Sequence, residues 1–250
     1  MHWRDFRTTY AHGRPLVVAH RGVPVSRPEN TLASFRLALE MGANALETDL
    51  HFSADDQIVL HHDPTLERMT DGSGPVRGRT LAELKQLRTR MPDGAWVNEP
   101  ISTLLELITL TNSAVPLLLE LKDPLFLDEK YARILAELLA ATGMTDKVAL
   151  VSFHFDYVLS VERVAPGLPI GFITMDEALP KLGAQLQGPY WPLLQQNPEY
   201  VKQAHDLGSV VAPLDTTPED RVPWYLSLDV DALLADDPAA VIAALDQATA

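Results

Sequence analysis

The chain has 250 residues, 46% of them apolar, with 34 acidic against 20 basic residues, a formal net charge of −14 and no cysteine. That length fits one large domain or two small ones with an ample core, and the missing cysteines exclude disulfides and thiolate metal sites. A field this negative repels nucleic acid and anionic membranes, so an anionic ligand must be gathered by a few local cations.

The first residues, MHWRDFRTTYAHGRP, are interrupted by Arg4, Asp5, Arg7 and Arg14 and lack the apolar stretch of a signal peptide. No apolar run approaches the roughly 18 residues of a membrane span. Both features read as a soluble, cytoplasmic protein without stable membrane association. The oligomeric state stays open.

Leu16 to Ala19 is a short apolar run of strand type that leads into His20-Arg21-Gly22. A loop rich in proline and polar residues follows, then Glu29-Asn30-Thr31 and a helix over Leu32 to Met41, stopped by Gly42. Asn30 or Thr31 can cap that helix, and the same triplet can have an added role in ordering the His20 loop. The strand Asn44 to Leu50 carries Glu47 and Asp49, which share a face because strand side chains alternate. After a turn at residues 53–56, Gln57 to Leu60 reads as a strand ending in His61-His62-Asp63. Alternation turns His61 away from His62, so His61 reads as structural.

Residues 63 to 100 read as a mostly irregular insertion with one short helix, Leu81 to Leu87. Thr103 to Thr111 is helical, and Val115 to Leu121 is a strand that sets Glu120 and Lys122 on one face. Helices follow at Asp128 to Ala141 and Asp156 to Val164, with strands at Val148 to Phe153 and Pro169 to Thr174. Met175 to Pro198 has no clear assignment. The chain closes with helix Glu199 to Asp206, strand Ser209 to Pro213, helix Pro218 to Leu226, strand Val230 to Ala235 and helix Pro238 to Gln247. Repeated strand–helix alternation implies a parallel sheet with right-handed crossovers. Roughly eight units in 250 residues imply an α/β fold, a (β/α)8 TIM barrel. It forms a single domain over residues 1–250, with a small insertion at about 63–100 after the second strand. Such a barrel places its site at the C-terminal ends of the strands.

Glu47, Asp49 and Glu120 are three carboxylates at strand ends, and oxygen-only ligation suits a hard divalent cation, Mg2+ or Ca2+, rather than zinc. The plainer alternative pairs Glu120 with Lys122 or Arg21. His20 and His62 end separate strands and so can flank one ligand; near neutral pH each can give or take a proton. Arg21 can hold a phosphate through two hydrogen bonds and Lys122 supplies a point charge. Asp63 can orient His62 or simply form a turn. His2, His12, His51, His154 and His205 read as exposed or packing residues.

The signatures HRG (His20 to Gly22), ENT (Glu29 to Thr31), ExD (Glu47 to Asp49), HDPTLxRxTDG (His62 to Gly72) and ELK (Glu120 to Lys122) resemble the glycerophosphodiester phosphodiesterase family. The likeness is dense over residues 16–122 and thinner afterwards. It implies Glu47, Asp49 and Glu120 as metal ligands and His20 with His62 as the acid–base pair. The implied activity is metal-dependent hydrolysis of glycerophosphodiesters to sn-glycerol 3-phosphate and an alcohol. The chain departs from the family near its last strands. There members usually show a tryptophan-threonine pair and a Gly-Val-Asp-Gly segment; here the stretches read Val210 to Asp215 and Asp229 to Ala232. An aromatic wall is therefore expected to be missing near Ala212 to Leu214, with Trp191 as the nearest replacement. Two other readings compete: phospholipase D-type cleavage of a lysophospholipid or another larger diester, and an inactive barrel that binds phosphorylated metabolites.

Overall fold

The computed structural model describes residues 14–249. The readings made for residues 1–13, His2 and His12 among them, lie outside those described residues. Eight short strands, almost wholly buried, form one parallel sheet: β1 (Leu16–His20), β2 (Ala45–Phe52), β6 (Leu117–Leu121), β7 (Val148–Ser152), β8 (Ile170–Thr174), β9 (Leu186–Pro189), β10 (Val210–Val211) and β11 (Ala232–Ala235). Strands buried on both faces need aliphatic residues at nearly every position, hence the apolar runs of the sequence. Around the sheet the order is β11-β1-β2-β6-β7-β8-β9-β10. The gap between β10 and β11 is bridged by Asp231, whose N–H donates to the Val211 carbonyl at 2.9 Å and whose carboxylate accepts from the Val211 N–H at 2.7 Å. The result is a nearly closed TIM barrel.

The helices α1 (Leu32–Glu40), α3 (Leu104–Leu110), α4 (Glu129–Ala141), α5 (Phe155–Val164), α6 (Trp191–Gln196), α7 (Tyr200–Asp206), α8 (Val222–Leu228) and α9 (Pro238–Ala248) follow their strands. Alternation divides the apolar residues between two layers. Leu16, Val18, Ala45, Leu118, Ala149, Val151, Ile173, Leu186, Val210, Ala212, Ala232 and Leu234 pack inside the barrel. Their neighbours in sequence, such as Val17, Leu46, Leu119, Leu150, Val211 and Leu233, pack outward against the helices. Small and large side chains together fill the narrow interior, so it is a core and not a pore.

Between β2 and β6 lies the insertion. It starts with β3 (Ile58–Leu60), which pairs antiparallel with the end of β2. The run Gln57 to Leu60 is therefore not a barrel stave. The stave missing from the sequence reading is β9, inside the unassigned stretch Met175 to Pro198, together with α6. With Pro189, Tyr190, Trp191 and Pro192 in its middle, that stretch has neither a clean strand nor a clean helix pattern. The insertion is also less irregular than expected. It contains α2 (Leu81–Leu84), capped reciprocally by Thr80 and Glu83, and a two-residue hairpin of β4 (Thr89–Arg90) with β5 (Trp96–Val97). Its own core of Val59, Leu66, Val76, Leu84 and Ile101 holds it against the barrel. Among the described residues no helix is long and apolar enough to cross a membrane.

Candidate active site

The alternation that fills the barrel runs on past the strand ends and builds the site. Leu16 and Val18 lead to His20, Ala45 to Glu47 and Asp49, Leu118 to Glu120 and Lys122, and Ala232 and Leu234 to Asp236. Four adjacent strands thereby deliver ionisable groups to the C-terminal mouth. Sheet register sets them side by side, with His20 opposite Glu47 and Asp49 opposite Glu120.

The loop after β1 is drawn tightly over α1. Ser34 Oγ accepts from the Val23 N–H at 2.7 Å and donates to the Arg21 carbonyl at 3.2 Å. A side chain at position 22 would come within 2.3 Å of Ser34, and the backbone there has φ +91°, so only glycine fits. Arg21 and Asn30 also hold left-handed conformations, φ 54° and 58°, which cost on the order of 1 kcal/mol each. That strain is held by bonds to β2: the Arg21 N–H donates to Glu47 Oε2 at 3.1 Å, and Asn30 Nδ2 donates to Asp49 Oδ2 at 2.8 Å. The ENT triplet thus serves both purposes considered for it. Thr31 caps α1, while Glu29 and Asn30 order the loop.

Glu47, Asp49 and Glu120 are all buried and bring carboxylate oxygens within 4.8 Å of one another. Arg21 Nε lies 3.0 Å from Asp49 Oδ2, and Lys122 Nζ lies 2.7 Å from Glu120 and 3.5 Å from Asp49 Oδ1. The pairing of Glu120 with Lys122 therefore exists, alongside the cluster and not in place of it. Burial and the charge of Asp49 push the Glu120 carboxyl up to about 7 and Glu47 well above the usual range. Asp49 is buried as well, yet Arg21 and Lys122 hold it low. Asp49 Oδ1 is buried with no hydrogen-bond partner, its one neighbouring cation being the Lys122 ammonium at 3.5 Å. Such an atom is costly unless something binds it. An oxygen-only, anionic set with an orphaned lone pair fits a hard divalent cation.

Each of the two histidines is oriented by an aspartate. His20 Nδ1 lies 2.7 Å from Asp236 Oδ1, which leaves Nε2 facing the cluster, 4.0 Å from Glu47 Oε2. His62 Nδ1 lies 2.8 Å from Asp63 Oδ1. Because an ionised carboxylate only accepts, both rings donate from Nδ1 and keep Nε2 for a ligand. Asp63 accepts in turn from Arg68, whose guanidinium also donates to both oxygens of Glu29. Burial lowers the pKa of His62, with the Asp49 charge opposing and Arg21 and Lys122 adding to the shift. His61 turns away and lies 3.0 Å from the Thr65 carbonyl, buried, as alternation requires.

Sequence reasoning missed Asp236, 216 residues from its histidine, although the pattern Ala232-Leu234-Asp236 repeats Leu16-Val18-His20. It also missed Arg68, visible only as the arginine within HDPTLxRxTDG. His51, read as an exposed or packing residue, is instead buried at the site: it lies on the Glu47–Asp49 face, 3.7 Å from Asp123, with Nε2 3.2 Å from the His62 carbonyl. A cavity of about 520 Å3 beside His62 and Lys122 is walled by His51, Pro64, Pro75, Pro124 and Leu125. Trp191 packs against the outer layer near Trp224, under the Arg221 guanidinium at 4.7 Å, and with Tyr190, Leu214 and Thr216 it also lines a cleft of about 270 Å3 past the ends of β9 and β10.

The sequence model of the "Glycerophosphoryl diester phosphodiesterase family" matches residues 20–240. A Mycobacterium tuberculosis protein named "Probable glycerophosphodiester phosphodiesterase 1" is 32% identical over 221 residues, covering 80% of this chain and 81% of that protein. A glycerophosphodiester phosphodiesterase of Caldanaerobacter subterraneus subsp. tengcongensis is 29% identical over 238 residues, 92% of this chain and 97% of its own. An Oleispira antarctica phosphodiesterase solved in complex with the product sn-glycerol-3-phosphate superposes with a TM-score of 0.81 at 30% identity, over 93% of this chain and 97% of that one. A match that runs from His20 past Asp236 takes in both histidine loops and all three carboxylates: the chain belongs to the glycerophosphoryl diester phosphodiesterase family and is a phosphoric diester hydrolase.

Proposed function

We propose that the chain hydrolyses glycerophosphodiesters to sn-glycerol 3-phosphate and an alcohol, with Mg2+ or Ca2+ held by Glu47, Asp49 and Glu120. The observation that carries this reading is the pairing of two aspartate-oriented histidines with a buried carboxylate cluster that has one orphaned oxygen. When bound, the cation offsets charge that develops on the phosphoryl oxygens. Arg21 and Lys122 supply positive charge to the same group. His62, kept neutral by burial, takes the proton of the nucleophile on Nε2, and His20, in its doubly protonated form with Nδ1–H held by Asp236, gives its Nε2 proton to the departing alcohol oxygen. The glycerol 2-hydroxyl, adjacent to the phosphate, competes with water as that nucleophile through proximity; the cyclic phosphate it forms is then opened by water.

A second reading, headgroup-side cleavage of a lysophospholipid, draws on exposed Phe153, Met175, Leu179 and Leu182 in the segments after β7 and β8. One experiment separates these. The protein is incubated with glycerophosphocholine, glycerophosphoethanolamine or lysophosphatidylcholine, with Mg2+, Ca2+ or excess chelator, and products are followed by phosphorus NMR. Cation-dependent release of sn-glycerol 3-phosphate is expected. Full activity in chelator after dialysis would remove the cation from the proposal, and faster turnover of lysophosphatidylcholine would favour the second reading.

A further inference from the structure

Strand β2 presents a third ionisable side chain on its Glu47–Asp49 face, His51, which the proposed reaction does not use. It is buried, with its ring in the wall of the cavity beside His62. Its Nε2 lies 3.2 Å from the His62 carbonyl oxygen. A carbonyl only accepts, so Nε2 carries a proton and donates it. Among the described residues no other group donates to that carbonyl. On the opposite side of the ring, Nδ1 faces Asp123 at 3.7 Å. Asp123 is itself fixed, because its two oxygens accept from the Phe52 N–H at 3.1 Å and the Leu125 N–H at 3.0 Å.

His62 stands just beyond β3, outside any helix or strand. Asp63 orients its ring but is its neighbour in the chain, and beyond the loop Asp63 reaches Glu29 through Arg68, whose side chain is 44% exposed. Two bonds instead tie this segment to β2, the strand of Glu47 and Asp49. The His61 N–H donates to the Asp49 carbonyl at 3.1 Å, and His51 holds the His62 carbonyl. His61 offers the comparison. It too is a buried histidine beside a backbone carbonyl, but its partner, Thr65, lies four residues on in the same loop, so that bond ties the loop only to itself. Resting on the role given above to His62, we propose that His51 is a positioning residue: it fixes the base relative to the carboxylate cluster on β2 and β6. Misplacing a reacting group by about 1 Å costs on the order of 10²-fold in rate, so a single buried bond at this point carries weight.

The test compares variants of the full chain on glycerophosphocholine at saturating Mg2+. A glutamine amide nitrogen stands as many bonds from Cβ as the imidazole Nε2, so His51→Gln can still donate to His62, whereas the shorter side chain of His51→Asn cannot reach. His51→Gln should keep kcat within about threefold of wild type. His51→Asn and His51→Leu should each lower kcat at least ~tenfold, the scale of groups that orient a catalytic side chain. KM and the calorimetric affinity for Mg2+ should stay within about twofold, because the loss falls on the chemical step. In a His62→Ala background, His51→Leu should cost nothing further in kcat, since the ring acts only through His62. The contrast of His51→Gln with His51→Asn decides the matter even where His51→Leu does not fold. Equal kcat in those two, a loss carried by KM alone, or a full loss added to that of His62→Ala overturns the positioning role and leaves His51 a wall of the cavity. If His62→Ala itself keeps wild-type kcat, the choice of base fails instead. His51 is then judged by nitrogen-15 NMR of the His62 imidazole: a single tautomer in wild type and His51→Gln but a mixture in His51→Asn upholds the anchor, and identical signals in all three overturn it.

Discussion

The mouth of the barrel has two halves made by one rule. On β11, β1, β2 and β6 the inward positions end in Asp236, His20, Glu47 with Asp49, and Glu120 with Lys122. On β7, β8, β9 and β10 the same positions end in Phe153, Met175, Tyr190 and Leu214. Below both halves the interior is equally aliphatic. The fold thus supplies positions and leaves the chemistry free. Concentrating the charges lets them pay for one another's burial: Arg21, Lys122 and Asn30 all bond the carboxylates of β2 and β6. The apolar half contributes no competing charge, and the low local dielectric it favours strengthens the electrostatics across the mouth.

The sharpest way to break this contrast is to neutralise the ionic half. Glu47→Gln or Glu120→Gln should abolish Mg2+ or Ca2+ binding measured by calorimetry and reduce turnover by at least ~10³-fold, with the fold intact. Unchanged cation affinity in either variant would show that the cluster is only an ion-pair network.

The histidines come next. His20→Ala and His62→Ala should each cost ~10²-fold or more in kcat, the usual scale of acid–base catalysis. His61→Ala should spare kcat, yet lower stability by about 1–3 kcal/mol, because a buried ring and its bond to the Thr65 carbonyl are both lost. The His62 pKa lies below the ordinary 6.5, so the neutral base persists at pH 6.5 and is lost only as pH falls further. At saturating cation, which holds Glu47 and Glu120 ionised, the acidic limb of kcat/KM should therefore lie below pH 6.5, and a limb that stays above that value would reverse the roles given to the two rings.

Asp236 marks the edge of the ionic half. Asp236→Asn should lower kcat about tenfold through mispositioned His20, with KM nearly unchanged. An effect as large as that of His20→Ala would make Asp236 a direct participant.

Changes in the apolar half should be smallest. Phe153→Ala, which removes an aromatic ring 5.5 Å from Lys122 Nζ, should shift KM about threefold among leaving alcohols and leave kcat alone. Trp191→Ala should leave KM unchanged and lower the melting temperature, since that ring packs on the outer layer with Trp224 and Arg221. A clear KM effect from Trp191 would move it back to the site.

Local pattern made much of this legible. Period-2 alternation is enough to put Glu47 with Asp49 and Glu120 with Lys122 on common faces and to turn His61 away from His62. Apolar runs are enough to mark seven of the eight staves. Where the run is short and holds glycine and proline, as in Leu186–Pro189, strand and loop look alike and β9 was lost. Gln57 to Leu60 reads as a strand and is one, but nothing in four residues says whether it is a stave or the antiparallel return of β2.

By itself, then, the sequence determined the alternation, the helix caps at Thr31 and Thr103, the glycine under Ser34 and the identities of the groups that reach the mouth. Each of those is set by neighbours within a few residues, or by backbone sterics at a single position. Only the tertiary structure decided which groups meet: Asp236 with His20 across 216 residues, Arg68 with Glu29 across 39, and the outward turn of Trp191. Those contacts depend on the register between strands and on how the ring closes at Asp231, and that information is spread over the whole chain because every strand must find its place before the first and last can face each other.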